Sequence, residues 1–369
     1  MISFHKNTLE IIDSTGPNLL APSEEYCHLW FNQNLKLDHF QFTKSCSQSL
    51  ELALLTLNLP LGSEVILPSY AFVSLANAIN NLGLKCIFVD CEASTMNIDA
   101  TQIEQAITPK TKALICINYG GVSCDYGQIK QLCKKHNLFL VEDNAHGILG
   151  KHEDQFLGSL GDISCFSFDH LKNFTCYQGG GIAINNSALL NDYYIASEFG
   201  TNRKACLEGK VDFYEWRGRG SNSILAKPLY PILKLQLEKS ADIVQKFNSL
   251  WQQYQDALTP LQSKGFIELL TIPDYAHHNA HMFWIKTAGL EERQALIAYL
   301  LKKGVESSSH YIPLHQSTFG KEVGEFRGVD VNTSTESNKL LRLPLHLGLS
   351  KEDVVFVSSC IANFYLAKS

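Results

Sequence analysis

What the sequence lacks narrows its function first. No GxGxxG follows an early strand and no GxxxxGKS/T occurs, which disfavours a nucleotide-cofactor dehydrogenase and a P-loop enzyme. There is no run of lysine or arginine, and the formal net charge of −6 argues against a nucleic-acid partner. No apolar run approaches the roughly 20 residues of a membrane span, so no membrane partner is expected. The opening residues, MISFHKNTLEIIDST, show no signal-peptide pattern. No CxxC pair is present. The eleven cysteines are odd in number, and Cys86, Cys116 and Cys165 fall inside apolar runs, where a reduced thiol behaves as a small hydrophobe. A reducing cytoplasm is therefore expected, with no disulfide framework.

What remains is an ordinary globular composition, 45% apolar and 18% charged, in 369 residues. That length accommodates one large and one smaller domain. Residues 1–42 are poorly patterned, with a turn expected at Gly16-Pro17 and an amphipathic helix over 24–34. Small hydroxyl residues at 43–49 then open an apolar helix, which is an N-cap signature and also a place where a phosphate could sit. From there strands and helices alternate. Strands are expected at 64–68, 85–90, 113–117 and 138–142, and helices at 74–82, 100–107 and 126–136. Short, near-continuous apolar strands between helices indicate a mostly parallel, doubly wound α/β sheet covered on both faces. Such sheets bind ligands beyond the carboxyl ends of their strands, which nominates residues 69–72, 118–121, 143–146 and 167–172. Further on come a helix over 188–198 and a polar, glycine-bearing irregular region that includes 200–203 and 216–222. A long helix over 243–258 follows. From about residue 265 the pattern becomes that of a smaller α+β domain, with a strand at 283–287 and a helix at 291–302. The expected division is 1–235 for a large cofactor-binding domain and 236–369 for the connecting helix and small domain.

The chemistry centres on residues 162–186, DISCFSFDHLKNFTCYQGGGIAINN. A single lysine, Lys172, lies between two apolar runs, with Gly179, Gly180 and Gly181 beside the second. Burial disfavours an ammonium, so such a lysine becomes available as an amine of the Schiff-base type. Asp143 ends an apolar strand, and a buried carboxylate there needs a cationic partner. A protonated pyridine nitrogen would serve, holding the ring as an electron sink. Phe72 could stack on that ring, and Ser45, Ser47 and Ser167 could bind a phosphate. Each also has a plainer reading, as a salt-bridged aspartate, a core aromatic or a cap serine. Their joint arrival at the strand ends of one sheet favours the site. His277, His278 and His281 lack helical metal-binding spacing and are expected in a partly exposed loop, so no metal is expected.

These segments resemble a known family. VEDNAH (141–146) followed by SFDHLKNFTCYQGG (167–180) is similar to the DegT/DnrJ/EryC1/StrS aminotransferases. The likeness continues in LPSYAFVSLANA (67–78), FVDCEASTMNID (88–99), KKHNLFLVED (134–143), GTNR (200–203), NAHMFWIK (279–286) and HYIPLH (310–315). The resemblance implies a fold type I pyridoxal 5′-phosphate enzyme. Its expected reaction carries an amino group from glutamate to a 4-keto-6-deoxy sugar nucleotide of bacterial surface polysaccharide synthesis. It implies that Lys172 is the catalytic, cofactor-bonded lysine, that Asp143 pairs with the ring nitrogen, and that His146 and Phe72 flank the ring. Ser47, Gln48 and Ser167 would hold the phosphate. Asn222 would reach the phosphate of a neighbouring subunit, as expected of a homodimer with shared sites. His310, Tyr311, Arg203 and Trp216 would face the sugar nucleotide.

The sequence departs from the family at several points. Tyr177 and Gln178 stand where glycine and a carboxylate are usual, and Asp169 where His or Tyr is common. Ser47-Gln48 stands for Thr-Ala. After Asn222, the segment 226–231 holds Pro228 and Pro231, which could not continue a helix interior. The glycine-rich segment usual near 19–24 is missing. A 3-keto sugar nucleotide substrate, and a non-catalytic or regulatory relative, therefore stand as alternatives. A dehydratase, with histidine in place of the lysine, is disfavoured by Lys172.

Overall fold

The computed structural model describes residues 1–4 and 20–367, so the turn expected at Gly16-Pro17 lies outside the described residues. Eight strands form the large sheet. In spatial order they are Phe40–Thr43, Gly180–Ile184, Ile163–Ser167, Phe139–Asp143, Thr111–Ile117, Glu64–Pro68, Lys85–Val89 and Gly324–Phe326. Pairing is parallel from Ile163–Ser167 out to Gly324–Phe326, and Gly180–Ile184 is antiparallel to both neighbours.

The continuous apolar strands follow from this placement. Successive side chains point to opposite faces. Val65, Leu67, Ala113, Ile115 and Ile117 enter one core, while Ile66, Leu114 and Cys116 enter another. Helices Cys46–Leu57 and Ser74–Asn81 cover the first face through Leu50, Leu54, Leu75 and Ile79; Ala100–Ala106 and Tyr126–His136 cover the second through Ile103, Ile129 and Cys133. With both faces buried, alternation with polar residues disappears. All eleven cysteines are free thiols, and burial pushes Cys86 and Cys133 up to about 12. Among the described residues no helix is long and apolar enough to cross a membrane.

Beyond the large sheet, the helix Ser240–Ser263 buries Ile243, Phe247, Leu250, Trp251, Tyr254 and Leu258 along one stripe. A smaller antiparallel sheet follows, in the order Glu268–Leu269, Phe283–Lys286, Leu340–Leu343, and helices Leu290–Lys302 and Lys351–Leu366 pack on each other. Several contacts tie the two parts together, two of them through the edge of the large sheet and Asp90. Gly324–Phe326 adds to the edge of the large sheet, and the buried carboxylate of Asp90 accepts the backbone N–H groups of Val331, Asn332 and Thr333.

One boundary needs correction. The first helix is longer than 24–34, running Leu20–Leu35. The two prolines stand at helix starts and not in a helix interior, as expected. Pro228 lies in a short 3₁₀ turn, Lys227–Leu229, and Pro231 sits in the first turn of the helix Tyr230–Glu238. A first-turn N–H has no intrahelical acceptor, so proline loses nothing there and its φ suits the helix. Gly180 and Gly181 serve the strand that follows the bend after Lys172. Gly180 belongs to a strand, and a Cβ there would lie 2.3 Å from the Ser45 carbonyl carbon and 2.5 Å from Cys46 N. Its lack of a side chain lets the strand touch the start of helix Cys46–Leu57. The left-handed turn falls instead on Tyr177, at φ 71°.

One buried carboxylate fixes the loop behind the site. Glu142 accepts from the N–H groups of Gly158, Leu160 and Gly161 at 2.9, 2.6 and 2.6 Å, and from Ser164 Oγ and Tyr126 Oη at 2.9 and 3.0 Å. Removing the acceptor strands three buried N–H groups at about 1–3 kcal/mol each. Glu142→Leu is therefore expected to lower unfolding free energy by more than about 3 kcal/mol in urea titration; a loss under about 1 kcal/mol would contradict this role.

Candidate active site

The carboxyl ends of four parallel strands open onto one cavity of about 580 Å³. Ile117, Asp143 and Ser167 end their strands there, and Phe72 follows the strand Glu64–Pro68. Ser45, Cys46 and Ser47 bring the start of helix Cys46–Leu57 to the same wall, with the Ser45 hydroxyl accepting from Gln48 N at 3.2 Å. A helix start carries free N–H groups and the positive end of the dipole, which suits an anion. Lys172 lies five residues beyond Ser167, in the bend before Gly180–Ile184. The C-terminal part of the chain adds His281, Ser309, His310, Tyr311 and Arg342 to the cavity lining.

Two groups carry the electrostatics. Asp143 is 6% exposed. Its Oδ1 accepts from Ala145 N at 3.0 Å, and the Cys46 thiol points at it from 3.9 Å. Among the described residues it forms no ion pair within 4.0 Å. Burial raises its pKa, opposed by the Ala145 N–H and by the charge of Lys172. Lys172 is half-buried, and burial lowers its pKa despite the opposing pull of Cys46, Asp143 and Asp169. An amine that gives up its proton more easily thus shares a cavity with an under-partnered carboxylate.

The same cavity holds imidazoles kept neutral. The rings of His146 and His281 stack at 4.3 Å and 18°. Burial, reinforced by Lys172, pushes both well below the usual histidine range. Gly120 N donates to His146 Nδ1 at 3.3 Å, which places the His146 proton on Nε2. His281 Nδ1 donates to Asn173 Oδ1 at 2.7 Å, and its backbone N–H donates to Asn279 Oδ1 at 3.1 Å. Asn279 in turn donates to the carbonyls of His146 and Ile148 at 2.7 and 2.8 Å. This buried amide locks the two histidine-bearing loops together.

Nine of the thirteen residues expected at the site line the cavity: Lys172, Asp143, His146, Phe72, Ser45, Ser47, Ser167, His310 and Tyr311. Four do not. Gln48 donates to Ser221 Oγ at 2.9 Å, outside the cavity. Asn222 is held by a backbone bridge to Glu198. Arg203 pairs with Glu198 at 3.1 Å, and Trp216 is 80% exposed. The segment 118–121 acts from behind the wall: Tyr119 Oη contacts His310 Nδ1 at 2.8 Å, and Gly120 holds His146. The expectation for the three histidines at 277–281 fails for His281, which is buried in the cavity, while His277 is exposed. The backbone N–H and ring contacts that draw His281 inward have no signature in residue spacing. Arg342 was also missed, being one polar residue in the short strand Leu340–Leu343. Among the described residues no group of three or more His, Cys, Asp or Glu is arranged to hold a metal ion.

Comparison with known proteins now adds to the geometry. Residues 28–362 match the sequence profile of the DegT/DnrJ/EryC1/StrS aminotransferase family. The chain belongs to that family. It is 29% identical over 371 residues to GDP-perosamine synthase of Escherichia coli O157:H7, covering 97% of this chain and 94% of the relative. It is 29% identical over 328 residues to the spore coat polysaccharide biosynthesis protein SpsC of Bacillus subtilis (strain 168), covering 86% and 82%. The fold matches the PMP form of the sugar aminotransferase Spr1654 of Streptococcus pneumoniae, with a TM-score of 0.82 at 24% identity over 95% and 92% of the two chains. That architecture, a mostly parallel large sheet with a smaller antiparallel one, is the type I fold expected from the sequence.

The neutral imidazoles make stability pH-dependent. His278 packs on Trp251 at 4.5 Å, and burial pushes it down to about 4. Unfolded histidine titrates near 6.5. Below that value the unfolded chain binds protons that the folded chain refuses, so stability is full above pH 6.5 and lost as pH falls toward 4. In urea unfolding between pH 6.5 and 4.5, His278→Gln is expected to flatten the decline by about 1 kcal/mol per pH unit. Superimposable slopes would contradict it.

Proposed function

We propose that this aminotransferase uses pyridoxal 5′-phosphate to carry an amino group from glutamate to a 4-keto-6-deoxy sugar nucleotide of the dTDP-4-keto-6-deoxyglucose type. The product would be a 4-amino sugar for a bacterial surface polysaccharide such as the O-antigen of lipopolysaccharide. The activity closest to this reading is that of dTDP-4-amino-4,6-dideoxygalactose transaminase. One observation carries the cofactor assignment: a buried carboxylate without a protein cation, Asp143, shares a cavity with Lys172, whose ammonium form is destabilised. The names of the two relatives support a sugar nucleotide and a polysaccharide pathway. One of those names carries GDP, so dTDP- and GDP-linked acceptors belong side by side in the assay.

The residues present fit the cofactor. Asp143 would hold the proton on the ring nitrogen, and the incoming charge would restore its carboxylate form. The start of helix Cys46–Leu57, with Ser47 and Ser167, would hold the phosphate. His146, backed by His281, and Phe72 would flank the ring. Lys172 would attach the cofactor and move a proton through Nζ. Pyridoxal phosphate itself supplies the electron sink that stabilises the carbanion left when that proton departs. His310 and Tyr311 would meet the sugar.

We also propose a homodimer. Leu207, Phe213, Trp216 and Ile224 expose large apolar side chains in the irregular region that carries Arg203 and Asn222. Covering them with a second copy would bury that surface and would bring Asn222, Arg203, Trp216 and Gln48 toward a partner's cavity.

Loading with pyridoxal phosphate is expected to give the absorbance band of a protonated imine, absent in Lys172→Ala. Glutamate should bleach the band and release 2-oxoglutarate. Asp143→Asn should weaken cofactor binding about 10- to 100-fold, since charge-assisted bonds contribute about 1.5–3 kcal/mol. No band in the wild-type protein would sink the cofactor assignment. A band that persists under glutamate would leave a non-catalytic relative, and transfer to a 3-keto sugar nucleotide alone would correct the substrate.

A further inference from the structure

The residue after Lys172 has no part in the reaction proposed above. Asn173 is buried, and both ends of its amide meet the segment that carries His281. Its Nδ2 donates to the Asn279 carbonyl at 3.1 Å, and its Oδ1 accepts from His281 Nδ1 at 2.7 Å. The first bond decides the second. A carbonyl can only accept, so the amide nitrogen must face Asn279 and the amide oxygen must face His281. Burial, and after it Lys172 and Arg342, keep a second proton off the His281 ring. Its single proton is therefore fixed on Nδ1, and Nε2 is left bare. His146, stacked on it, has the opposite form, because Gly120 N donates to His146 Nδ1.

The same amide anchors the bend that carries the lysine. Among the described residues Lys172 Nζ has no hydrogen-bonding partner, so its aim is set by its backbone. Lys172 N donates to the Asp169 carbonyl at 3.0 Å, which closes the turn before it. After it the bend is held at two points. Thr175 exchanges two hydrogen bonds, both of 2.8 Å, with the side chain of Gln236 in the helix Tyr230–Glu238. Asn173 supplies the other point, on segment 279–281. Asn279 extends this frame, accepting from His281 N at 3.1 Å and donating to the His146 and Ile148 carbonyls at 2.7 and 2.8 Å. One side chain thus joins the bend of Lys172 to the stacked pair of rings. An apolar side chain at 173 would leave the Asn279 carbonyl and His281 Nδ1 buried without partners.

We propose that Asn173 is a positioning residue. It sets the tautomer and plane of His281, and through that ring the His146 face on which the cofactor would lie, and it keeps Lys172 in register with that face. Register matters because a nucleophile must stand about 3–3.5 Å from the atom it attacks, in line with it. A bend that drifts relative to the ring seat loses rate although every reacting group is still present. The role toward the cofactor rests on the pyridoxal phosphate reading; the hydrogen-bonded frame does not.

The frame can be read without the cofactor. In cofactor-free protein labelled at histidine, the imidazole nitrogen shifts should show the His281 ring, assigned by its loss in His281→Gln, protonated at Nδ1. Asn173→Ala should move that ring to the Nε2–H form or to exchange between the two forms. Asn173→Asp, which keeps the acceptor and loses the donor, should retain Nδ1–H. On addition of pyridoxal phosphate, Asn173→Ala should bind it about 2- to 10-fold more weakly, the range set by loss of one neutral hydrogen bond. Its imine band should also form several-fold more slowly. An unchanged His281 signal in Asn173→Ala overturns the proposal. So does a changed tautomer with wild-type cofactor affinity and wild-type rate of band formation. If Asn173→Ala fails to fold, Asn173→Ser, whose hydroxyl is too short to span both partners, carries the same measurements. Absence of the imine band in the wild type defeats the pyridoxal phosphate reading itself, with the Nδ1–H signal of His281 still in place; a normal band that the Asn173 variants leave unaltered defeats only the role of Asn173.

Discussion

A carboxylate buried without a cation sets the terms for the rest of the site. Asp143 ends a central strand whose neighbours are apolar on both sides, so the fold itself removes it from water. Ala145 N–H and the Cys46 thiol are a weak return for that loss. The adjacent residue makes the contrast plain. Glu142, on the opposite face of the strand, meets five donors and is spent on structure. Two neighbouring carboxylates, equally buried, differ in how far their charge is answered, and the unanswered one faces the cavity.

The same imbalance recurs with opposite sign. Lys172 and Arg342 bring positive charge to the cavity without a full set of protein acceptors, and His146, His281 and His310 are held neutral in the same cavity. Buried polar groups are normally satisfied within a fold. In this cavity the charges of Asp143, Lys172 and Arg342 are incompletely answered, while Asn173, Asn279 and Tyr119 are used in holding the histidines still. The arrangement suits a site whose missing partners are a ring cation and a phosphate.

Much of this was legible in the chain. Apolar strands too continuous for a one-sided sheet indicated the doubly wound fold, and the rule that such sheets bind at their carboxyl ends led to Phe72, Asp143, Ser167 and Lys172. What escaped was set by contacts distant in sequence. His281 and Arg342 reach the cavity through contacts between segments far apart in the chain, and no local pattern records that. Pro228 and Pro231 were barred from a helix interior by the sequence, but their place at two helix starts came only with the fold. The need at Gly180 is for close approach to Ser45, 135 positions earlier in the chain, which no local pattern records. Gln48, Arg203, Trp216 and Asn222 came from family likeness and stay outside the cavity of a single chain.

The pairing of Asp143 with Lys172 across one cavity has a direct chemical test. Borohydride reduction of the protein loaded with pyridoxal phosphate converts the imine to a stable amine, and peptide mass mapping then locates the label. The label is expected on Lys172 in the wild type, at one equivalent per chain, and at much lower occupancy in Asp143→Asn at limiting cofactor. Label on another lysine, or spread evenly over surface lysines, would contradict the site.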